Sequence, residues 1–144
     1  MKSLNIKYFN VMNPDKYMEF HNILNIKKQT IVFLDGEIGS GKTTFVKAFS
    51  RRISSQNISS PTFSLINEYK TSQFSIYHYD LYRIKTIKEL FEIGIDNYFF
   101  QDGLHFIEWA NTFSKILPRP DYQINFYNYD PYRIIKVVDY SNAI

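Results

Sequence analysis

The segment Gly36-Glu37-Ile38-Gly39-Ser40-Gly41-Lys42-Thr43 constrains this chain more than any other part of it. It fits the pattern G-x-x-x-x-G-K-[ST]. Its glycines let the backbone turn tightly enough for successive N–H groups to point inward at an anion. Such a loop has to sit between a strand and the first turn of a helix, and the flanking residues supply both. Gln29 to Asp35 reads QTIVFLD, short, apolar and β-branched, the composition of a buried strand. After the loop, Phe45, Val46, Phe49 and Ile53 recur at helical spacing, which predicts a helix over Lys42 to Ile53. Strand, loop and helix then form a phosphate cradle from Glu37, Ile38, Gly39, Ser40, Gly41, Lys42, Thr43 and Thr44. The positive end of the helix dipole faces the same anion. In this arrangement Lys42 reaches the β- and γ-phosphates of a nucleotide, and the Thr43 hydroxyl ligates Mg²⁺.

The rest of the chain reads as alternating short elements. Lys2 to Val11 begins like a strand. Asn13 and Pro14 mark a helix start that predicts a helix to about Leu24. Phe63 to Tyr69 and Ser75 to Tyr79 are β-like runs around a polar turn, a plausible hairpin. Thr86-Ile87-Lys88-Glu89 is a capping box whose helix stops near Gly94, and Asp96 is placed to cap a further turn. Leu104 to Glu108 is a second buried strand. Asp121 to Phe126 and Tyr132 to Val138 form a hairpin around Asn128-Tyr129-Asp130-Pro131. The mixture predicts one α/β domain over residues 1–144, with three layers and a mixed, partly antiparallel sheet.

Bulk properties exclude several classes. The chain has 144 residues and no cysteine, so disulfides, thiolate metal sites and a cysteine nucleophile are ruled out. It contains no apolar run of membrane-spanning length and no apolar core of a signal peptide at its start, and a cytoplasmic protein is expected. The formal net charge is only +3, and the Lys and Arg residues are scattered. Such a bias permits weak contact with nucleic acid without requiring it. His21, His78 and His105 lack metal-ligand spacing. For His78, two residues before Asp80, a structural hydrogen bond near the site is the expected role. Tyr79, Tyr82 and Tyr98 are read as packing residues.

A loop holding Mg²⁺ and a triphosphate needs carboxylates near Thr43, because Mg²⁺ takes oxygen ligands and the phosphates are strongly negative. Two β-like runs end in an acid: Ile76-Tyr77-His78-Tyr79-Asp80 and Leu104-His105-Phe106-Ile107-Glu108. Thr62, about twenty residues past the loop, stands where switch segments place a γ-phosphate sensor.

Taken together, four segments carry a resemblance. They are Gly36 to Phe45, then Ser60-Pro61-Thr62-Phe63-Ser64-Leu65-Ile66-Asn67-Glu68-Tyr69, then His78-Tyr79-Asp80-Leu81-Tyr82-Arg83, and Ile107-Glu108-Trp109. In order and spacing the chain resembles the TsaE family, small P-loop ATPases of bacterial tRNA threonylcarbamoyladenosine biosynthesis. The resemblance implies a P-loop NTPase-like α/β fold that binds ATP and Mg²⁺. It also implies work with TsaB and TsaD partners, which place a threonylcarbamoyl group on the adenosine beside the anticodon in tRNAs reading A-starting codons. It assigns Lys42 to phosphate, and Thr43 and Glu108 to the metal. Asp80 becomes the Walker-B-like acid, Thr62 the switch threonine, and Trp109 a residue packed near the site. Arg133 is the counterpart of an arginine that lies against the nucleotide, and the N-terminal segment around Asn13 would approach the base.

Two other readings compete. A small-molecule kinase uses a similar loop but usually needs an arginine-rich lid, and Arg83 stands alone after the acidic strand. A nucleotide-sensing scaffold would hold ATP without useful turnover. No glutamine placed to orient water and no arginine finger stands out, so intrinsic hydrolysis is expected to be weak.

Overall fold

In the computed structural model, which describes residues 4–51 and 65–141, strand β1 (Asn5–Asn10) leads into a 3₁₀ segment (Pro14–Asn22) and strand β2 (Gln29–Asp35). Helix α1 (Lys42–Arg51) follows, then the β3 (Ile66–Lys70) and β4 (Ser75–Asp80) hairpin. Two short helices, α2 (Ile87–Glu92) and α3 (Ile95–Phe99), precede β5 (Gly103–Glu108). A 3₁₀ turn (Ala110–Phe113) and the β6 (Tyr122–Tyr129) and β7 (Tyr132–Asp139) hairpin complete the chain. Thr62 and the rest of residues 52–64 lie outside the described residues, as does the expected end of α1 at Ile53.

The strands form one sheet in the order β1-β7-β6-β2-β5-β4-β3. Its centre is parallel: β2 lies between β5 and β6, and β4 joins β5 on the far side. The two hairpins and β1 add antiparallel edges, so the sheet is mixed as expected. Alternation along β2 divides the core. Val32 and Leu34 face α1 and the 3₁₀ segment, while Ile31 and Phe33 face α2, α3 and the turn after β5. Helical elements therefore cover both faces of the parallel centre, giving three layers.

Phe45 ties the loop's helix to this frame. Its fully buried ring meets Tyr17 and Phe20 at 5.3 and 5.2 Å, Phe106 of β5 at 5.6 Å and Phe126 of β6 at 5.7 Å, mostly edge to face. Edge-to-face contact sets the positive rim of one ring against the negative face of the next, which fixes angles as well as distances.

Three local expectations change. The segment after Asn13 is 3₁₀ and not α, and Lys16 N donates to Asn13 O. Its three-residue turn stacks Tyr17 and Phe20 on one side, where both are buried against Phe45. Gly94 follows Ile93, the C-terminal cap residue of α2, in the left-handed region (φ 79°), as expected, but it also occupies the cap position of α3. Asp96 consequently lies in the first turn of α3 and does not cap it. The last hairpin turns over Asp130 and Pro131 alone, because Tyr129 pairs with Tyr132.

Candidate functional site

The register of the parallel strands brings the candidate acids to one level. Leu34 of β2 and Asp80 of β4 both pair with Glu108 of β5, and Asp35 pairs with Asn125 of β6. Side chains at the carboxyl ends of these strands therefore surround the start of α1, the crevice where open α/β sheets bind ligands. Gly39 and Gly41 take positive φ (78° and 107°) in the connecting loop, which an L side chain rarely adopts. At Gly36 the constraint is space: an added Cβ would lie 2.6 Å from Ser40 Oγ and 2.9 Å from the Phe126 carbonyl oxygen.

The resulting cleft has a volume of about 330 Å³. Ile38, Gly39, Gly41, Lys42, Thr43 and Thr44 line it on the loop side. Asp80, Tyr82, Glu108, Trp109 and Arg133 close the other sides. Glu37 and Ser40, expected in the same cradle, line a separate groove behind the loop with Phe126 to Tyr129. Their side chains are thus apart from the cleft, although the loop backbone is continuous.

Lys42 is buried, donates to the Gly36 carbonyl and holds its Nζ 3.8 Å from the centre of the Trp109 ring. Burial lowers its pKa, against the opposing pull of Glu108, Asp35 and Asp80. The charges of three carboxylates thus act on one ammonium in a chain that is positive overall. Trp109 has φ 61°, a left-handed conformation that is costly for a bulky residue, and its ring lies 4.9 Å from that of Tyr82. Tyr82, read from sequence as packing, is more than half exposed and lines the cleft. No periodicity signals that role; it follows from Tyr82 coming two residues after Asp80 at the end of β4.

Thr43 Oγ1 donates to Glu108 Oε2 at 3.0 Å, and His78 Nε2 lies 2.5 Å from the same oxygen. The structural hydrogen bond expected of His78 is therefore present. Asp80 Oδ1 accepts from the Tyr82 amide at 3.2 Å. Burial raises the Asp80 pKa, and the Glu108 charge raises it further. A pair of mutually repelling carboxylates beside a threonine hydroxyl is a donor set that a hard cation would relieve. Among the described residues no group of three or more His, Cys, Asp or Glu forms a cage of its own. Mg²⁺ takes one or two carboxylates and completes its shell with phosphate oxygens and water, so the Asp80–Glu108 pair beside Thr43 fits it.

Arg133 reaches the cleft from β7, and its guanidinium would be 3.6 Å from a Cβ placed on Gly41. It sits beside Tyr17, whose pKa is raised by burial and pulled back by the Arg133 charge. The bond from Val11 N to the Arg133 carbonyl (2.7 Å) holds the N-terminal segment next to this arginine. Nothing local in the sequence marks Tyr17, because its approach to the loop depends on the 3₁₀ geometry.

A parallel strand, a glycine loop and a helix, with acids on the adjacent strand ends, define a protein of the P-loop NTPase-like fold. The family model described as "Threonylcarbamoyl adenosine biosynthesis protein TsaE" matches residues 11–135. The chain belongs to the TsaE family. It is 38% identical over 128 residues to the tRNA threonylcarbamoyladenosine biosynthesis protein TsaE of Haemophilus influenzae, covering 88% of this chain and 81% of that one. The protein of the same name from Rickettsia prowazekii is 40% identical over 103 residues, 70% of this chain and 71% of the other. Among solved structures, the crystal structure of Bacillus subtilis YdiB superposes with a TM-score of 0.75 at 27% identity, covering 96% of this chain and 88% of that one. Among the described residues no helix is long and apolar enough to cross a membrane.

Proposed function

We propose that this chain is the Mg²⁺-dependent ATPase subunit of tRNA threonylcarbamoyladenosine biosynthesis. In this reading it binds ATP at the glycine loop and turns it over slowly alone. It acts with TsaB-like and TsaD-like partners on tRNAs reading A-starting codons, inside the cytoplasm. The convergence of Lys42, Thr43, Asp80 and Glu108 on one cleft carries the reading. Family membership and the names of the relatives supply the pathway.

The chemistry follows from the side chains. Loop amides and the Lys42 ammonium bind and orient phosphate oxygens, and Arg133 adds a second positive charge on the opposite wall. The Thr43 hydroxyl donates its hydrogen bond to Glu108, which leaves its oxygen lone pairs free for a cation. When bound, Mg²⁺ would be held by Thr43, Glu108 and Asp80 and would neutralise charge on the phosphates. Trp109 and Tyr82 shield one side of the cleft from water. Thr62 remains the proposed switch threonine on the sequence motif alone.

Phosphoryl transfer with every charge-stabilising group in place from one chain proceeds fast, whereas a missing arginine finger costs roughly 10³–10⁵ in rate. Arg133 faces the loop near Gly41, and no second arginine lines the cleft among the described residues. Slow turnover that partners accelerate is the expected result. Calorimetry with a non-hydrolysable ATP analogue should show binding to the natural protein and none to Lys42→Ala. Glu108→Ala or Asp80→Ala should keep much of the metal-free affinity and lose Mg²⁺-dependent turnover. Undiminished ATPase activity in a Lys42→Ala, Glu108→Ala double variant would refute the site.

A further inference from the structure

We propose that His78 is a positioning residue that sets the Glu108 carboxylate for the metal. Its Nε2–H occupies Oε2 and so presents Oε1 to the cleft. This rests on the Mg²⁺–nucleotide reading above. The strands bring the two residues together. His78 and Asp80 point to the same face of β4, Asp80 pairs with Glu108 of β5, and His78 is therefore its diagonal neighbour. Both side chains are almost wholly buried, His78 at 1% and Glu108 at 3% exposure. Placing two polar groups there is costly unless they satisfy each other.

The distribution of the bonds is the specific observation. Thr43 Oγ1 at 3.0 Å and His78 Nε2 at 2.5 Å both meet Oε2, and among the described residues no hydrogen bond reaches Oε1. Two donors from two different elements, α1 and β4, lock the carboxylate plane. Rotation of the Glu108 side chain would break both contacts at once. Thr43 alone cannot hold it, because a single hydroxyl leaves the carboxylate free to pivot about that contact. His78 is thus the group that makes the Glu108 orientation unique, and through Glu108 it also steadies the Thr43 hydroxyl. Groups that orient a metal-binding carboxylate typically govern about 10–100-fold in metal affinity.

The experiment measures the affinity of the full chain for a non-hydrolysable ATP analogue, in EDTA and across a magnesium series. His78→Leu should raise the half-effective magnesium concentration about 10–100-fold while keeping the metal-free affinity. His78→Gln should return the midpoint close to that of the natural protein, since the glutamine amide nitrogen stands near the place of Nε2. If leucine prevents folding, His78→Asn replaces it, because the asparagine amide is too short to reach Oε2. An unchanged magnesium midpoint in His78→Leu, a parallel loss of metal-free affinity, or a glutamine variant no better than leucine would each overturn the assignment. Absence of any magnesium effect in the natural protein would instead overturn the functional reading and this inference with it.

Discussion

At the scale of single residues, the loop is governed more by what cannot fit than by what attracts. Gly36 illustrates this. A methyl group there would meet Ser40 Oγ at 2.6 Å and the Phe126 carbonyl at 2.9 Å, and the second contact is with strand backbone that cannot swing away. Gly36 also accepts from Lys42, so any shift of its carbonyl moves the ammonium. Gly36→Ala should therefore cost about 1–3 kcal/mol of stability and weaken nucleotide binding together. Gly103→Ala offers a control. Its Cβ would lie 2.4 Å from the Ser75 carbonyl oxygen, at the opposite ends of β4 and β5 from the cleft. That variant should lose stability on a similar scale and keep nucleotide affinity. Chemical denaturation and calorimetry on both variants separate the two effects. Equal nucleotide affinities for them would remove the special status of Gly36.

At the scale of elements, α1 is held by its aromatic face. Phe45, Val46 and Phe49 are wholly buried, and Phe45 contacts rings from the 3₁₀ segment, β5 and β6. Phe45→Ala should cost about 3–5 kcal/mol and loosen the loop two residues upstream. Phe45→Leu, which keeps most of the volume, should cost less and preserve binding. Denaturant midpoints for the pair test this, and an alanine variant as stable as the leucine variant would contradict it. The burial of α1's apolar stripe was legible in the sequence, as were β2, β5, the Thr86 cap and the final hairpin. In each case local spacing or turn chemistry decides the element. Thr86 does accept from the Glu89 amide at 3.1 Å. The 3₁₀ character of Pro14–Asn22 was not legible, because Asn13-Pro14 signals only that a helix starts. Its period is set by the need to stack Tyr17 and Phe20 over Phe45, a demand from residues far along the chain. The approach of Tyr17 and Tyr82 to the cleft was hidden for the same reason.

At the scale of the whole molecule, strand order is the information that sequence withholds. Asp80 and Glu108 each end a β-like run, and nothing local says which strand adjoins β2. The sheet places β5 there, so Glu108 meets Thr43 while Asp80 stands one strand further out. The same order buries His105 on the other side of the sheet, against the rings of Tyr77 and Tyr79. Tyr79 OH donates to His105 Nδ1 at 2.6 Å, since burial pushes the Tyr79 pKa far up and keeps the phenol protonated. The ring's other nitrogen, Nε2–H, donates to the Gln101 carbonyl at 2.9 Å. Both nitrogens are thus satisfied in the neutral ring, and burial lowers the His105 pKa below its ordinary 6.5. The unfolded chain consequently takes up a proton at this residue at higher pH than the folded one. The stability it contributes is complete above about pH 6.5 and is lost as the pH falls towards the depressed folded value. Urea midpoints should decline between pH 7.5 and pH 5.5, and His105→Gln, though less stable throughout, should decline less steeply. The rest of the chain is the same in both proteins, so the difference between the slopes belongs to His105. Parallel slopes would mean that the buried imidazole is not the group that senses acid.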